Sequence, residues 1–337
     1  MIYRYLVYGL CIAADAPIPG LVESPASAEP DLKIWLQLEP PWLAECLAMR
    51  ETLWYVSPEQ EDGGKPALTV TKLAAGAYFR FVYADGSTFI LDRSTTRLWA
   101  TWPDSSSLQD TAVFLLGPVL GFVLRSRGTV CLHASAVAIG REAIVLVGIG
   151  GAGKSTTAAA FARQGYAVLS DDVAPMQPHA DAYFVRPGYP RLCLWPESVS
   201  LLYGGREALP RLTPNWEKCY LSLDDNGHRF QHEPLPLGAI YLLGERAAGT
   251  EVPRVQPVPA SGGLVALVQN TYMNYLLDKQ RRAQEFEFLG RLLSRVPVRR
   301  VTPHQDPTRL TKLCEVIVSD FEALPQAALA ATEGCPR

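Results

Sequence analysis

Short runs of apolar residues, many of them aromatic or β-branched, fill the first hundred residues of the chain. Turn-forming DGG and ADG sequences and several prolines separate these runs. This pattern is typical of strands joined by tight turns. We therefore predict a β-rich N-terminal region, with strands within segments 3–13, 31–38, 51–58, 67–74, 77–86 and 88–102.

The pattern changes near residue 110, where apolar residues take up helical spacing as far as Arg127. Gly117-Pro118 is a candidate kink in this helix, and Gly128 suits its end. Strands are predicted next at 130–139, 141–147 and 166–170, with a glycine-rich turn and a helix between the last two. Further strands are predicted at 182–188, 191–195, 218–223, 238–245 and 297–303, and helices at 261–296 and 307–324.

These elements predict a mixed α/β (α+β) chain of two domains. Residues 1–108 form a β-rich domain suited to substrate recognition, residues 109–325 form the domain that carries the chemistry, and residues 326–337 form a small-residue tail expected to be flexible. Length alone is compatible with two domains of ordinary size.

Composition and charge narrow the class of protein. Hydrophobic residues make up 48% and charged residues 19% of the chain, which is enough for a substantial core. The net charge is −3 without a basic stripe, so nucleic acid is not an expected partner. No run of 18 apolar residues predicts a membrane span, and the short apolar N-terminal run reads as a strand rather than a secretion signal. Seven cysteines without Cys-x-x-Cys spacing favour a reducing, cytoplasmic setting over a disulfide framework or zinc site.

The glycine-rich turn carries the clearest chemical signal. It fits G-x-x-x-x-G-K-[ST] at every fixed position, follows the apolar run AIVLV and opens a helix. In such a loop, backbone N–H groups converge on phosphate oxygens, the lysine reaches the β- and γ-phosphates, and the serine hydroxyl ligates Mg²⁺. The predicted nucleotide-binding residues are Gly148, Ile149, Gly150, Gly151, Ala152, Gly153, Lys154, Ser155 and Thr156.

Two adjacent acids, Asp171 and Asp172, follow Lys154 by 17 and 18 residues. A helix and a strand fit between them and the loop, so a parallel return would bring both carboxylates near the phosphates. One carboxylate could assist the metal while the other accepts a hydroxyl proton during phosphoryl transfer. An acidic turn without chemical function is the alternative.

Taken together, CLHASAVAI, GIGGAGKST and GYAVLSDDV resemble the core of the HPr kinase/phosphorylase family, whose fold is related to ATP-dependent phosphoenolpyruvate carboxykinase. That family has a histidine before the strand that leads into the phosphate loop, and an Asp-Asp pair at this spacing; here these are His133, Asp171 and Asp172. The opening segment YGLCIAADAPIPGL also resembles stand-alone HPr-kinase-like proteins, including those found beside precursors of lasso peptides.

The resemblance implies a P-loop kinase core that uses ATP and Mg²⁺. It implies that Asp171 is the general base, that Asp172 assists the metal or the base, that Ser155 ligates the metal, and that His133 lies near the phosphates. A hydrogen-bonded core histidine remains the alternative for His133. The substrate implied is a serine or threonine of a peptide or small protein, and a homo-oligomer is also compatible with the family.

The chain departs from the family pattern in two places. The loop ends Lys-Ser-Thr rather than Lys-Ser-Glu, and no Glu-x-Arg-Gly run is present. RPGYPRLCLW occupies the region of that run and offers Arg186 and Arg191, and Lys218, in WEKCYLSL, lies where similar proteins often carry a basic residue. These three are candidates for substrate or phosphate contacts, with solvated surface charge as the alternative reading. HPr itself is therefore an uncertain acceptor.

Two further functions remain open on sequence alone. The same machinery could phosphorylate a small-molecule hydroxyl, or the chain could be a nucleotide-binding switch without turnover. A translational-type GTPase is disfavoured because no Asn-Lys-x-Asp motif is present.

Overall fold

The strand-rich and helix-rich segments combine into a mixed α/β structure, seen in a computed structural model that describes residues 1–25, 29–48, 51–61, 63–225 and 227–325. The tail 326–337, predicted to be flexible, lies outside the described residues. The strands form two large sheets and one two-stranded sheet.

The N-terminal region forms an eight-stranded sheet with the order β1-β2-β3-β8-β7-β6-β5-β4. Buried and more exposed residues alternate along β3 and along parts of β1, β5 and β6, because successive side chains point to opposite faces. All six predicted strand segments are confirmed. In chain order the elements are β1 (Tyr3–Val7), β2 (Leu10–Ala14), β3 (Leu32–Leu36), α1 (Leu43–Ala48), β4 (Thr52–Val56), β5 (Leu68–Leu73), β6 (Tyr78–Tyr83), β7 (Thr88–Asp92) and β8 (Arg97–Thr101).

The apolar helix after this sheet consists of α2 (Leu108–Phe114), a π-helical turn (Leu115–Val119) and α3 (Leu120–Ser126). Ser107 and Asp110 form a capping box at its start. The π turn contains the predicted kink, because Pro118 cannot donate an N–H to the regular ladder. By length and composition the helix Leu108–Ser126 could cross a membrane, but 78% of its most apolar 18-residue stretch is buried inside the protein, as in a core helix.

The rest of the chain builds a nine-stranded sheet covered by helices on both faces. Strands β14 and β15 pair separately as the two-stranded sheet. The elements are β9 (Val130–Ile139), β10 (Glu142–Val147), α4 (Lys154–Arg163), β11 (Ala167–Ser170), β12 (Val173–His179), β13 (Ala182–Val185), β14 (Arg191–Leu194), α5 (Pro196–Tyr203), β15 (Cys219–Ser222), β16 (Arg229–Phe230), β17 (Leu235–Leu243), β18 (Arg254–Pro257), α6 (Ala260–Gln269), α7 (Lys279–Leu293), β19 (Val298–Thr302) and α8 (Leu310–Ala323).

The order of the central strands determines where the chemistry lies. Strand β10 pairs with β9 antiparallel and with β17 parallel, and β11 pairs with the other edge of β9 antiparallel. Strands β10 and β11 therefore run in the same direction with β9 between them. Their carboxyl ends lie at the same edge of the sheet.

One hydrophobic cluster joins the two large sheets. It contains most of the N-terminal sheet's buried residues, those of α2–α3, and Cys131, Val173 and Tyr272 from the second half. The proposed domain boundary at 108 stays a prediction, but apolar packing is continuous across it.

One expectation is wrong, and several elements, among them α1, α5, β12, β16 and β18, were not predicted. The single helix predicted over 261–296 is wrong, because α6 ends at Gln269 and α7 begins at Lys279. The intervening segment brings Tyr272 into the core cluster. The strand β12 was not predicted, since its two prolines, Pro175 and Pro178, argue against a strand by composition.

Candidate functional site

The glycine-rich turn forms a loop between the end of β10 and the start of α4. Gly153, directly before the helix, has φ 99°, a left-handed conformation that side-chain-bearing residues rarely adopt. Gly148 sits so close to β17 that a Cβ there would lie 3.1 Å from the carbonyl oxygen of Leu243. No atom of the described residues lies within 4 Å of a Cβ placed on Gly150 or Gly151, so this side of the loop is open among them.

Lys154 lies back over its own loop. Its Nζ donates hydrogen bonds to the carbonyl oxygens of Gly148 at 2.8 Å and Ile149 at 3.1 Å. Burial, the largest cause, lowers the pKa of Lys154, and the nearby carboxylates of Asp172 and Asp171 oppose that shift. The ammonium is thus held at the mouth of the loop, where phosphate oxygens could replace the carbonyl oxygens.

Asp171 directly follows β11, and its buried carboxylate accepts three hydrogen bonds from described residues. Its Oδ1 accepts hydrogen bonds from Ser135 Oγ at 2.6 Å and from Ser155 Oγ at 2.8 Å. Its Oδ2 accepts from the backbone N–H of Cys193 at 3.1 Å. Burial raises the pKa of Asp171, and the hydrogen bonds from Ser135 and Cys193 oppose that rise. The phosphate loop and the aspartate pair are therefore joined directly, through Ser155.

Asp172 is turned away from its neighbour by a tight turn of the backbone. The N–H of Val173 donates to the carbonyl oxygen of Asp171 at 2.8 Å across Asp172, whose φ is 66°. A three-residue turn with positive φ is strained, and such strain tends to collect at functional sites. The side chain of Asp172 is 46% exposed, whereas Asp171 is buried.

Two side chains contact the Asp172 carboxylate. His133 Nε2 lies 3.5 Å from Oδ1, and Tyr272 donates its hydroxyl to Oδ2 at 2.8 Å. Burial is the main cause that lowers the pKa of His133, so the imidazole is neutral near pH 7. Burial and the charge of Asp172 raise the pKa of Tyr272 well above its usual value, so its hydroxyl stays a donor.

Tyr272 packs against a slot on the surface of the apolar helix, formed where Gly117 and Gly121 carry no side chain. A Cβ on Gly121 would lie 2.4 Å from Tyr272 Cε1, and one on Gly117 would lie 3.3 Å from Asp172 Oδ2. These glycines are four residues apart and so share one helix face. Because these two helix positions carry no side chain, the helix can pack closely against Tyr272 and the Asp172 carboxylate.

The three predicted basic residues take different positions. Lys218 Nζ lies 4.9 Å from the ring of Trp195, and its charge contributes to lowering the pKa of Lys154 and His133, after burial. Lys218 thus faces the site. Arg186 and Arg191 instead lie against glycines of the N-terminal segment.

A cleft runs beside the loop. It is bounded by the start of α4, by Arg246 and by the turn leading into α8. Arg246 Nη2 would lie 3.7 Å from a Cβ on Gly153, so a second cation borders the loop. Thr156, which also lines the cleft, shares a 2.8 Å hydrogen bond with Ser198.

Sequence reasoning did not assign several of these positions. Ser135 follows His133 by two residues on β9 and so shares its face, a signal that was available. Tyr272 was noted in a polar and aromatic cluster, but its bond to Asp172 depends on a contact across 100 residues of chain. No local signal indicated Arg246 or the backbone N–H of Cys193.

Comparison with known proteins gives a limited result. No protein-family model and no curated protein sequence matches the chain. A solved structure of the Hpr(Ser) kinase/phosphatase from Coxiella burnetii is similar over 57% of this chain and 99% of that chain, with 11% sequence identity and a TM-score of 0.30. This similarity is weak, and a TM-score this low assigns neither a family nor a reaction to the chain.

Proposed function

We propose that this protein is an ATP- and Mg²⁺-dependent kinase that transfers the γ-phosphoryl group to a serine or threonine hydroxyl of a peptide or small protein. One observation carries the proposal: a complete phosphate-loop sequence opens a helix, and its Ser155 hydroxyl is hydrogen-bonded to the first of two adjacent carboxylates. A glycine-rich turn without chemical function has no need for this link.

The loop residues 148–156 suit a nucleoside triphosphate. The open side of the loop and the N-terminus of α4 supply N–H groups and a favourable dipole for phosphate oxygens. Lys154 would exchange its two carbonyl partners for oxygens of the β- and γ-phosphates. The cleft bordered by Arg246 is where we place the nucleoside end.

The oxygen groups at the loop also fit Mg²⁺, which in kinases takes one or two protein oxygens and completes its shell with phosphate oxygens and water. Ser155 Oγ and Asp171 supply such oxygens, 2.8 Å apart. Among the described residues, no group of three or more His, Cys, Asp and Glu side chains could hold a metal ion by itself. When bound, Mg²⁺ would offset the negative charge of the phosphates.

The geometry favours a division of labour between the carboxylates that is the reverse of the one implied by the resemblance. Asp171 is buried, and its oxygens already accept three hydrogen bonds, which suits the metal side of the site. Asp172 is half-exposed beside His133, where an acceptor hydroxyl could approach. We therefore assign the general base to Asp172.

The transfer itself would be in line. The acceptor oxygen forms a bond to the γ-phosphorus while the bond from that phosphorus to the β,γ-bridging oxygen breaks, and ADP leaves. The hydroxyl proton passes to the Asp172 carboxylate. Lys154 and Lys218 stabilise the negative charge spread over the transferring group.

The surroundings of Asp172 favour a chain-like acceptor over a small metabolite. Tyr275 is 41% exposed. Burial is the main cause that raises its pKa, followed by the charges of Tyr55, Glu59 and Asp172, so its ring lies within electrostatic range of Asp172. Trp195, 54% exposed, lies under Lys218. Exposed aromatic rings of this kind suit a peptide segment, and a ribosomally made peptide precursor in the cytoplasm is the acceptor we favour.

The test offers γ-labelled ATP, Mg²⁺ and the purified protein to the small protein or precursor peptide encoded beside its gene, with HPr and free serine as comparisons. Mass spectrometry then measures phosphate on each acceptor. We expect one phosphate on a peptide serine or threonine, and none with Lys154→Ala. Phosphate on free serine alone would favour a small-molecule kinase, and ATP binding without transfer to any acceptor would favour a switch.

A further inference from the structure

The turn between β1 and β2 has an unusual residue at its tip. Val7 pairs with Leu10, so Tyr8 and Gly9 form a two-residue turn, and their φ angles are 56° and 77°. A hairpin turn with positive φ at both positions favours Asn, Asp or Gly at the first one. A tyrosine there is strained, and the location of its side chain gives a reason for it.

The Tyr8 ring is inserted into the second half of the protein. Tyr8 is 1% exposed, and its ring packs edge-on against Tyr189 with 6.3 Å between ring centroids. Its backbone N–H donates to the carbonyl oxygen of Pro187 at 2.9 Å. Gly188 leaves the room for it, because a Cβ there would lie 3.0 Å from Tyr8 Cε1.

Two arginines cover the glycines of the N-terminal segment. A Cβ on Gly9 would lie 2.0 Å from Arg186 Nη1, and one on Gly20 would lie 3.2 Å from Arg191 Nη1. A side chain at Gly9 would therefore require Arg186 to move, and one at Gly20 would be in tight contact with Arg191, so both glycines let the N-terminal segment lie close to segment 186–191.

Segment 186–193 in turn supports the Asp171 carboxylate. Gly188 donates its N–H to the carbonyl oxygen of Leu169, in β11, at 2.8 Å. Cys193 donates its N–H to Asp171 Oδ2 at 3.1 Å. A continuous set of contacts therefore leads from the Tyr8-Gly9 turn to the end of β11 and to Asp171. The Tyr8 hydroxyl lies near enough that the charges of Asp172 and Asp171 add to burial and to Tyr189 in raising its pKa well above its usual value.

We propose that Tyr8 is a positioning residue for phosphoryl transfer: the Tyr8-Gly9 turn of the N-terminal sheet holds chain 186–193, and thereby Asp171, in the geometry that transfer requires. This inference rests on the proposed function. It makes the N-terminal region part of the catalytic unit, through a route separate from acceptor recognition.

Gly9→Ala tests the contact, with Gly76→Ala as a matched control. Both glycines have positive φ, 77° and 88°, and belong to turns of the same sheet, but nothing lies within 4 Å of a Cβ on Gly76. Strain from the backbone is thus shared, and collision with Arg186 is specific to Gly9. The double variant Gly9→Ala/Arg186→Ala removes the collision.

The measurements are kcat for transfer to the acceptor found above, the Kd of MgATP and the thermal unfolding midpoint. Because displacing a reacting group by an ångström can lower the rate by about 100-fold, we expect Gly9→Ala to lower kcat by about 10- to 100-fold relative to Gly76→Ala. Because Asp171 lies on the metal side through Ser155, we expect the Kd of MgATP to rise more than the Kd of ATP measured with a chelator, and the double variant to recover most of the lost kcat.

Three results would overturn the inference. Gly9→Ala could match Gly76→Ala in kcat, it could lose ATP affinity equally with and without Mg²⁺, or Arg186→Ala could fail to restore kcat in the double variant. A wild-type protein that binds MgATP but transfers phosphate to no acceptor would instead overturn the proposed function, and the catalytic role of Tyr8 with it. The two failures are therefore distinguishable.

Discussion

Adjacent residues of a strand point to opposite faces of the sheet, but the environments of Asp171 and Asp172 differ by more than this. One is buried among three hydrogen-bond donors, and the other is half-exposed beside an imidazole and a phenol. The strained turn at Asp172 produces this difference. At the scale of single residues, the two carboxylates should therefore fail in different ways when neutralised.

Asp172→Asn should lower transfer by about 100- to 10,000-fold, the range expected for loss of a general base. MgATP affinity should stay within about twofold of the wild type, because the base is not required to hold the nucleotide. Isothermal titration and single-turnover transfer measure the two quantities. Near-normal turnover would show that Asp172 is not the base.

Asp171→Asn should weaken binding of MgATP more than binding of ATP without metal, since Asp171 lies on the metal side through Ser155. The control is the same titration in the presence of a chelator. An equal loss of affinity with and without Mg²⁺ would contradict this role.

His133 gives a pH-dependent prediction. Burial lowers its pKa in the folded protein, so as pH falls through about 6.5 the unfolded chain binds a proton that the folded chain does not. Stability linked to His133 is therefore present above that pH and is lost below it. When the pH is lowered from 7.5 to about 5.5, the thermal unfolding midpoint of His133→Gln should therefore fall by less than that of the wild type. Parallel midpoints for the two proteins over that range would contradict it.

At the scale of elements, the site is assembled by β9, β11 and the apolar helix. Strand β9 separates β10 from β11 and places Ser135 against Asp171. The apolar helix closes the other side through the slot at Gly117 and Gly121. Besides packing, β9 and the apolar helix therefore hold the side chains around the two carboxylates.

Gly121→Ala should displace Tyr272 and lower transfer by about tenfold or more, because even small displacements at a reacting centre are costly. Gly290→Ala is the control: it lies in the interior of α7, no described atom lies within 4 Å of its Cβ, and it should raise stability by up to about 1 kcal/mol.

Tyr272→Phe, which keeps the ring and removes the hydroxyl, should reproduce the loss of kcat without changing MgATP affinity. A fully active Tyr272→Phe would show that the hydrogen bond to Asp172 is dispensable.

Elements with a local signal could be predicted from the sequence, and those that depend on distant contacts could not. The loop 148–155 and the strands on either side of it follow from glycine spacing and apolar runs. The break between α6 and α7 was missed because apolar residues keep helical spacing across Thr271 and Tyr272. The fit of Gly9 to Arg186 depends on a contact across 176 intervening residues and leaves no pattern in either segment.

At the scale of the whole molecule, the two halves share one core. The cluster that joins the N-terminal sheet to α2–α3 also contains Cys131, Val173 and Tyr272, next to the residues of the proposed site. Removing residues 1–100 would expose this apolar surface, so that truncation does not isolate a catalytic domain.

We therefore expect a fragment that starts at residue 101 to lack a cooperative thermal transition, as followed by circular dichroism. The reason is the loss of about 25 cal/mol of stabilisation for each Å² of apolar surface left in water. The full chain under the same conditions is the control. A fragment that unfolds cooperatively and still binds MgATP would show that the halves fold independently.

The most direct test of the central claim is a ³¹P NMR time course of MgATP with the full chain and its peptide acceptor. The account predicts loss of the γ-phosphate signal with matching growth of ADP and of a phosphoserine or phosphothreonine signal, and no change with Lys154→Ala. An ATP spectrum that stays unchanged, or γ-phosphate that appears only as inorganic phosphate, would contradict the assignment of this protein as a peptide kinase.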